Sequence, residues 1–196
     1  MILVITGIEA GGHGHSEALP LMTLLPMVKQ SISNPPPLVA AGGIANGAQI
    51  ASLLVLGAAA AVVGTRYAAT HESTYSPNQK GAVIASTHSV RTVAFDIVRG
   101  TNEWPKGIDG RAIPNLVLED EAKGFSMEER QRLYDEATKK DDVSRRVVWS
   151  GASVGLVKEI VGAAVKHSEF TLLRFTDHYL RPSRGPSRRR LLSNST

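Results

Sequence analysis

The chain has 196 residues, 42% hydrophobic and 20% charged, an ordinary globular balance that excludes collagen, coiled coil and wholesale disorder. The absence of cysteine excludes disulfides, thiolate zinc sites and cysteine nucleophiles. The net charge of +4 comes from the end of the chain, where Thr171–Thr196 holds six arginines against Asp177; the remainder is close to neutral, which argues against a nucleic-acid-binding fold.

Ile2 to Ile5 is a short continuous apolar run, the pattern of a strand buried on both faces, and it lacks the charged start of a signal peptide. A glycine-rich loop follows, Glu9-Ala10-Gly11-Gly12-His13-Gly14-His15. Thr23 is placed to cap a helix whose first turn tolerates Pro26, with Leu25, Val28 and Ile32 at helical spacing. Asn34-Pro35-Pro36-Pro37 ends it, because a residue before proline is pushed out of the α region. Leu38 to Ala41 reads as a second buried strand ending at Gly42-Gly43. Asn46-Gly47 turns the chain into a helix through Ile50, Leu53 and Leu54, closed by Gly57. Ala60 to Val63 reads as a third strand, ending at Gly64-Thr65.

Strands separated by single helices pair in parallel through right-handed crossovers, so residues 1–70 read as α/β. Residues 71–170 read as a mostly helical extension. Ser126 with Glu129 signals a capped helix over Met127–Lys139, and Val157, Ile160, Val161 and Ala164 suggest a last amphipathic helix. Residues 171–196 read as a disordered basic tail, too poor in apolar surface to offset the entropy of ordering. No apolar run reaches the roughly 18 residues that span a bilayer. The chain is expected to be soluble and cytoplasmic.

In parallel β/α units, functional groups gather in the loops after the strands' C-terminal ends, and all three glycine-rich segments fall there. Gly42-Gly43 and Gly64-Thr65 suit a phosphate, since backbone without Cβ atoms closes on an anion and a following helix N-terminus adds its dipole. The plainer alternative is a pair of tight turns. His13, in a loop at the same end, is a candidate general base; the alternative is a solvated histidine. His13 and His15 lack a clear third ligand, so no metal is assigned. Gly12-His13-Gly14 lacks the spacing and the downstream acid of a dinucleotide fingerprint.

Several linked segments resemble the nitronate monooxygenase family, once called 2-nitropropane dioxygenases. They are Gly7 to His13, Leu24-Leu25-Pro26, Val39 to Gly47, Leu56-Gly57-Ala58 and Val63 to Tyr67. Arg91-Thr92, Phe95-Asp96, Arg99-Gly100, Trp104-Pro105, Asp109 to Ala112 and Trp149 to Val157 are similar to the extension of its fungal-type members. The resemblance covers about Ile2 to Val165. It implies a partial (β/α)8 TIM barrel, about the last three β/α units, with the residues from His71 onward packed on it.

The resemblance also implies FMN as cofactor, and oxidation of alkyl nitronates or nitroalkanes by O2 to carbonyl compounds and nitrite. By position, His13 matches the catalytic base, while Gly11, Gly12, Gly42, Gly43 and Val62, Val63, Gly64 and Thr65 match flavin contacts. Thr6 and Val62 stand where glutamines are usual. Two alternatives stand beside this: a related FMN-dependent enoyl reductase, and a silent fragment that at most binds phosphate or FMN. Three parallel strands leave two raw edges, which suggests association through them or as a homo-oligomer. Arg66 and Arg111 are expected in surface salt bridges, and Trp104 and Trp149 as packing anchors.

Overall fold

The computed structural model describes residues 1–172. The expected basic tail, 171–196, lies outside the described residues except for its first two, which end the last helix. β1 (Leu3–Thr6), β3 (Leu38–Ala41) and β4 (Ala60–Val62) form a three-stranded parallel sheet in the order β1-β3-β4. α1 (Leu21–Ser31) and α2 (Gly47–Val55) make the crossovers.

The parallel register fixes the faces. Leu3 and Ile5 of β1 align with Leu38 and Ala40 of β3, and with Leu21, Leu25 and Leu53 they build a core under the helices. Leu25 is fully buried, which contributes about 1.5–3 kcal/mol. The opposite face carries Val4 beside Val39 and Ala60, and Thr6 beside Ala41 and Val62. That face is open: Val4 is 52% and Val62 48% exposed. The strands expected to be buried on both faces are therefore buried on one, because helices cover only that side.

α1 also differs from expectation. It starts at Leu21 behind Pro20, with no side-chain cap, so Pro26 lies inside it rather than in its first turn. α2 behaves as read: Asn46 caps it, Gln49 completes the capping box, and Gly57 at φ 101° turns the chain away.

The glycine-rich segment is not all loop. Gly12–His15 forms β2, which pairs antiparallel with β6 (Ile108–Ala112), and β6 pairs antiparallel with β5 (Val90–Thr92). This second sheet joins residues from both sides of position 70, so a boundary there cuts through hydrogen-bonded strands. α3 (Thr65–Ala68) and α4 (Pro77–Ala85) precede β5 in the chain, and α5 (Ala94–Arg99), α6 (Leu116–Ala122) and α7 (Met127–Lys139) pack with β6. Phe95, Val98, Ala112, Val117, Tyr134 and Val147 share one core; Ala69, Val83, Val148, Val154 and Val157 share another. α7 begins at Ser126, whose Oγ accepts the Glu129 N–H at 3.2 Å.

The last helix starts later than expected. Val157 ends a 3-10 turn, Val161 pairs with Thr70 in an isolated bridge, and α8 runs from Ala163 to Leu172. The apolar residues before Ala163 are drawn into that bridge and the adjacent core instead of a helical face.

Candidate active site

The segment between β1 and β2 is held from several sides. The Glu9 carboxylate accepts the Leu21 N–H at 3.0 and 3.1 Å, supplying the acceptor that Pro20 cannot. The Glu9 carbonyl accepts the Ala152 N–H at 2.8 Å. A Cβ on Gly11 would sit 2.6 Å from the Ser150 carbonyl carbon, so only glycine lets the two backbones meet here. The loop thereby delivers β2, and His13, in a fixed position.

His13 is enclosed by aromatic rings and one carboxylate. Trp104 stacks on its imidazole at 4.3 Å between centroids with 20° between planes, and Trp149 lies tilted at 4.9 Å. The His13 Nε2 sits 2.8 and 3.0 Å from the two carboxylate oxygens of Asp96. The side chain of Asp96 is 2% exposed and that of His13 20%. Gly110, opposite His13 in the β2–β6 pair, admits the Trp149 ring: a Cβ there would fall 2.4 Å from it.

Two arginines brace this sheet. Arg91 donates to Asp109 Oδ1 at 2.6 Å and to the Gly14 carbonyl at 2.7 Å. Arg111 donates to the Ile8 and Ser89 carbonyls; burial, then the Arg91 charge, hold its guanidinium below its ordinary value. Arg111 makes no salt bridge among the described residues, whereas Arg66 makes one, to the exposed carboxylate of Glu159 at 3.0 Å. Arg111 is satisfied by backbone carbonyls, and the buried Arg66 side chain also donates to the Glu159 carbonyl at 2.8 Å, so both side chains stitch distant segments together.

Across from His13 lie the glycine pairs. Gly42 takes φ 114°, which only glycine adopts without strain, and a Cβ on it would sit 3.1 Å from both Ala10 N and Gly7 O. The Gly43 carbonyl accepts from Gln49 Nε2 at 2.9 Å and from Ser153 Oγ. Gln49 Oε1 occupies the Ala45 and Asn46 N–H groups, so these two amides of the α2 N-terminus serve its own cap rather than an anion. Gly64 differs: its φ of −95° suits any residue, and a Cβ there would meet nothing within 4 Å. Thr65 Oγ1 accepts the Gly151 N–H at 2.8 Å.

His13, Gly11, Gly12, Gly42, Gly43, Val62, Gly64 and Thr65 all line a single cleft of about 470 Å³. Thr6 and Val63 do not line it: Thr6 lies on the open sheet face and Val63 packs against the helix-side core. Tyr75, Trp149, Gly151 and Ser153 also line the cleft, although sequence gave them no site role. Burial pushes the Tyr75 phenol up, keeping it a neutral donor to the Trp149 carbonyl at 2.9 Å. Both tryptophans pack on His13: Trp149 from within the core beside Phe95, and Trp104 from the half-exposed side.

The family model for nitronate monooxygenase matches residues 2–165. The chain belongs to the nitronate monooxygenase family. It is 35% identical over 175 residues to nitronate monooxygenase npaC of Metarhizium robertsii, a match covering 84% of this chain and 49% of that one. It is 33% identical over 168 residues to the nitronate monooxygenase of Neurospora crassa, covering 81% and 44%. This member therefore spans about half the length of the curated relatives it matches.

Among solved structures, a nitroalkane oxidase from Streptomyces ansochromogenes is similar at TM-score 0.68 and 27% identity, covering 88% of this chain and 52% of that one. FabK from Thermotoga maritima reaches the same TM-score at 24% identity, covering 87% and 53%; this likeness concerns the fold. Among the described residues, no helix is long and apolar enough to cross a membrane.

Proposed function

We propose that this family member is the base-bearing and phosphate-holding portion of an FMN-dependent oxidoreductase that oxidises alkyl nitronates or nitroalkanes with O2 to carbonyl compounds and nitrite. The observation that carries this is the cleft itself, which His13 lines together with the glycine pairs after β3 and β4. Its volume lies within the range of cofactor and small-molecule sites.

The residues present fit a flavin phosphate. At Gly64 neither φ nor a close neighbour demands glycine, so the missing side chain leaves room beside the cleft for a ligand to approach the backbone. Gly42, Gly43, Gly64 and Thr65 would hold the phosphate, with Gly11 and Gly12 nearer the ring system. Bound FMN supplies the electron transfer that side chains cannot. His13 removes the proton α to the nitro group of a neutral nitroalkane, and the tryptophans limit water at its ring.

The open face of β1-β3-β4 supports the further reading that these strands are three units of a (β/α)8 barrel. The remaining strands would cover Val4 and Val62 and pair with the free edges of β1 and β4, from elsewhere in a longer polypeptide or through association with another copy. The expected setting is the cytoplasm.

The test combines binding and turnover. The chain, purified and incubated with FMN, should retain yellow flavin absorbance and quench flavin fluorescence. His13→Ala should lower oxidation of a neutral nitroalkane by about 10²- to 10⁴-fold and spare the pre-formed nitronate, which has no proton left to lose. Equal loss on both would remove His13 from the role of base. Failure to retain FMN would favour a silent fragment, and NADPH-driven reduction of an enoyl thioester without nitroalkane oxidation would favour the reductase alternative.

A further inference from the structure

Asp96 comes from α5, 83 residues away from His13, and nothing in the local sequence connects them. Its carboxylate is 2% exposed yet well supplied: Thr101 Oγ1 donates to Oδ1 at 3.0 Å, and an Arg99 guanidinium nitrogen stands 3.5 Å from it. Arg99 also lies over the Trp149 ring at 5.6 Å. A buried carboxylate with these neighbours is an acceptor only. The imidazole nitrogen facing both of its oxygens must then carry a proton.

We propose that Asp96 is the positioning residue for His13: it holds the neutral ring as the Nε2–H tautomer and leaves Nδ1 as the basic nitrogen. Nε2–H donates to Asp96, so the lone pair that accepts a substrate proton is on Nδ1. Trp104, stacked 4.3 Å away, and Trp149, at 4.9 Å, restrict the plane in which the ring turns. A ring flip would break both contacts to Asp96 and set the Cε1–H, which is no nitrogen donor, against the carboxylate. When Nδ1 takes a proton, the Asp96 charge lies hydrogen-bonded to the far side of the imidazolium, as an acid does in any base–orienter pair. The assignment rests on His13 being the base, but the tautomer can be read without turnover.

Imidazole 15N spectroscopy tests it directly on the chain labelled at histidine, with the His13→Ala spectrum identifying the His13 signals. In the neutral ring, Nε2 should give a protonated, pyrrole-type signal and Nδ1 an unprotonated, pyridine-type one. Asp96→Asn keeps the shape but offers an amide that can donate, so the two tautomers should mix and both signals should move toward each other. Oxidation of a neutral nitroalkane should fall by about 10- to 10²-fold, less than in His13→Ala, while the pre-formed nitronate is spared.

A pyridine-type Nε2 in the native chain, or an unchanged tautomer in Asp96→Asn, overturns the proposal. The native spectrum decides even if the variant does not fold. A correct tautomer together with equal loss of both substrates in His13→Ala would keep Asp96 as the orienter and reject the base, so the two failures are distinguishable.

Discussion

The parallel and antiparallel sheets of this molecule are built on opposite economies of sequence. β1, β3 and β4 follow one another within sixty residues, joined by single helices. β2, β5 and β6 are drawn from residues 12–15, 90–92 and 108–112. The first sheet is left open on one face, with Val4 and Val62 half exposed, whereas the second lies close to fully buried Phe95, Val148 and Val154. The first supplies the glycine turns of the cleft and the second supplies its base. Anion-holding backbone can thus be provided by local chain geometry, but an oriented imidazole requires long-range packing.

If that division is right, core truncation should injure the two regions unequally. Phe95→Ala empties a site with no exposed surface, beside Trp149 at 6.2 Å between ring centroids, and should cost about 3–5 kcal/mol. Val62→Ser, on the open sheet face, should stay within about 0.5 kcal/mol. Urea or thermal unfolding measures both. Similar losses would mean that the open face is covered in solution.

The same contrast marks what could be read beforehand. The β/α units were legible because each is specified by neighbours: apolar runs, the Asn46 cap with Gln49, the Gly57 stop, the proline break after Asn34. The glycine pairs were legible as well, since they fall where strands end. β2 was not, because Gly12-His13-Gly14-His15 has no apolar alternation and becomes a strand only through Ile108–Ala112. The Asp96 contact was hidden for the same reason. Phe95-Asp96 carries a resemblance, but the one usable signal, a lone acid among the apolar residues of Ala94 to Val98, names no partner. The start of α1 was misplaced at Thr23 because a carboxylate twelve residues upstream of Leu21, that of Glu9, replaces the expected local cap.

A smaller effect separates the cleft's two sides by ligand rather than by stability. Gly64→Ala has space for its Cβ and an ordinary φ, so folding should be unaffected or slightly more stable, by up to about 1 kcal/mol. FMN retention should weaken by roughly tenfold or more, equivalent to about 1.4 kcal/mol, read by flavin fluorescence titration. Unchanged affinity would relieve Gly64 of its phosphate role and leave it as a turn.

The smallest expected effect lies at the seam where the chain after β4 meets the C-terminal segment. Thr70 bridges to Val161, and the Glu72 carboxylate accepts the Ala163 N–H at 2.9 and 3.1 Å, capping α8 from ninety-one residues away. That backbone hydrogen bond, together with Glu72's own, holds its carboxyl below the ordinary glutamate value of 4.5. A group whose folded value is depressed binds its proton more readily when unfolded, so its stabilisation is complete above the unfolded value and is lost as pH falls through the folded one. Glu72→Gln should therefore melt below the native chain at neutral pH, and the gap should close as the solution is acidified through and below the carboxylate range. Glu72 is exposed, so high salt should narrow the same gap. A gap that persists in acid would assign the Glu72 contribution to packing rather than to charge, and would leave the charge pairing at this seam to Arg66 and Glu159.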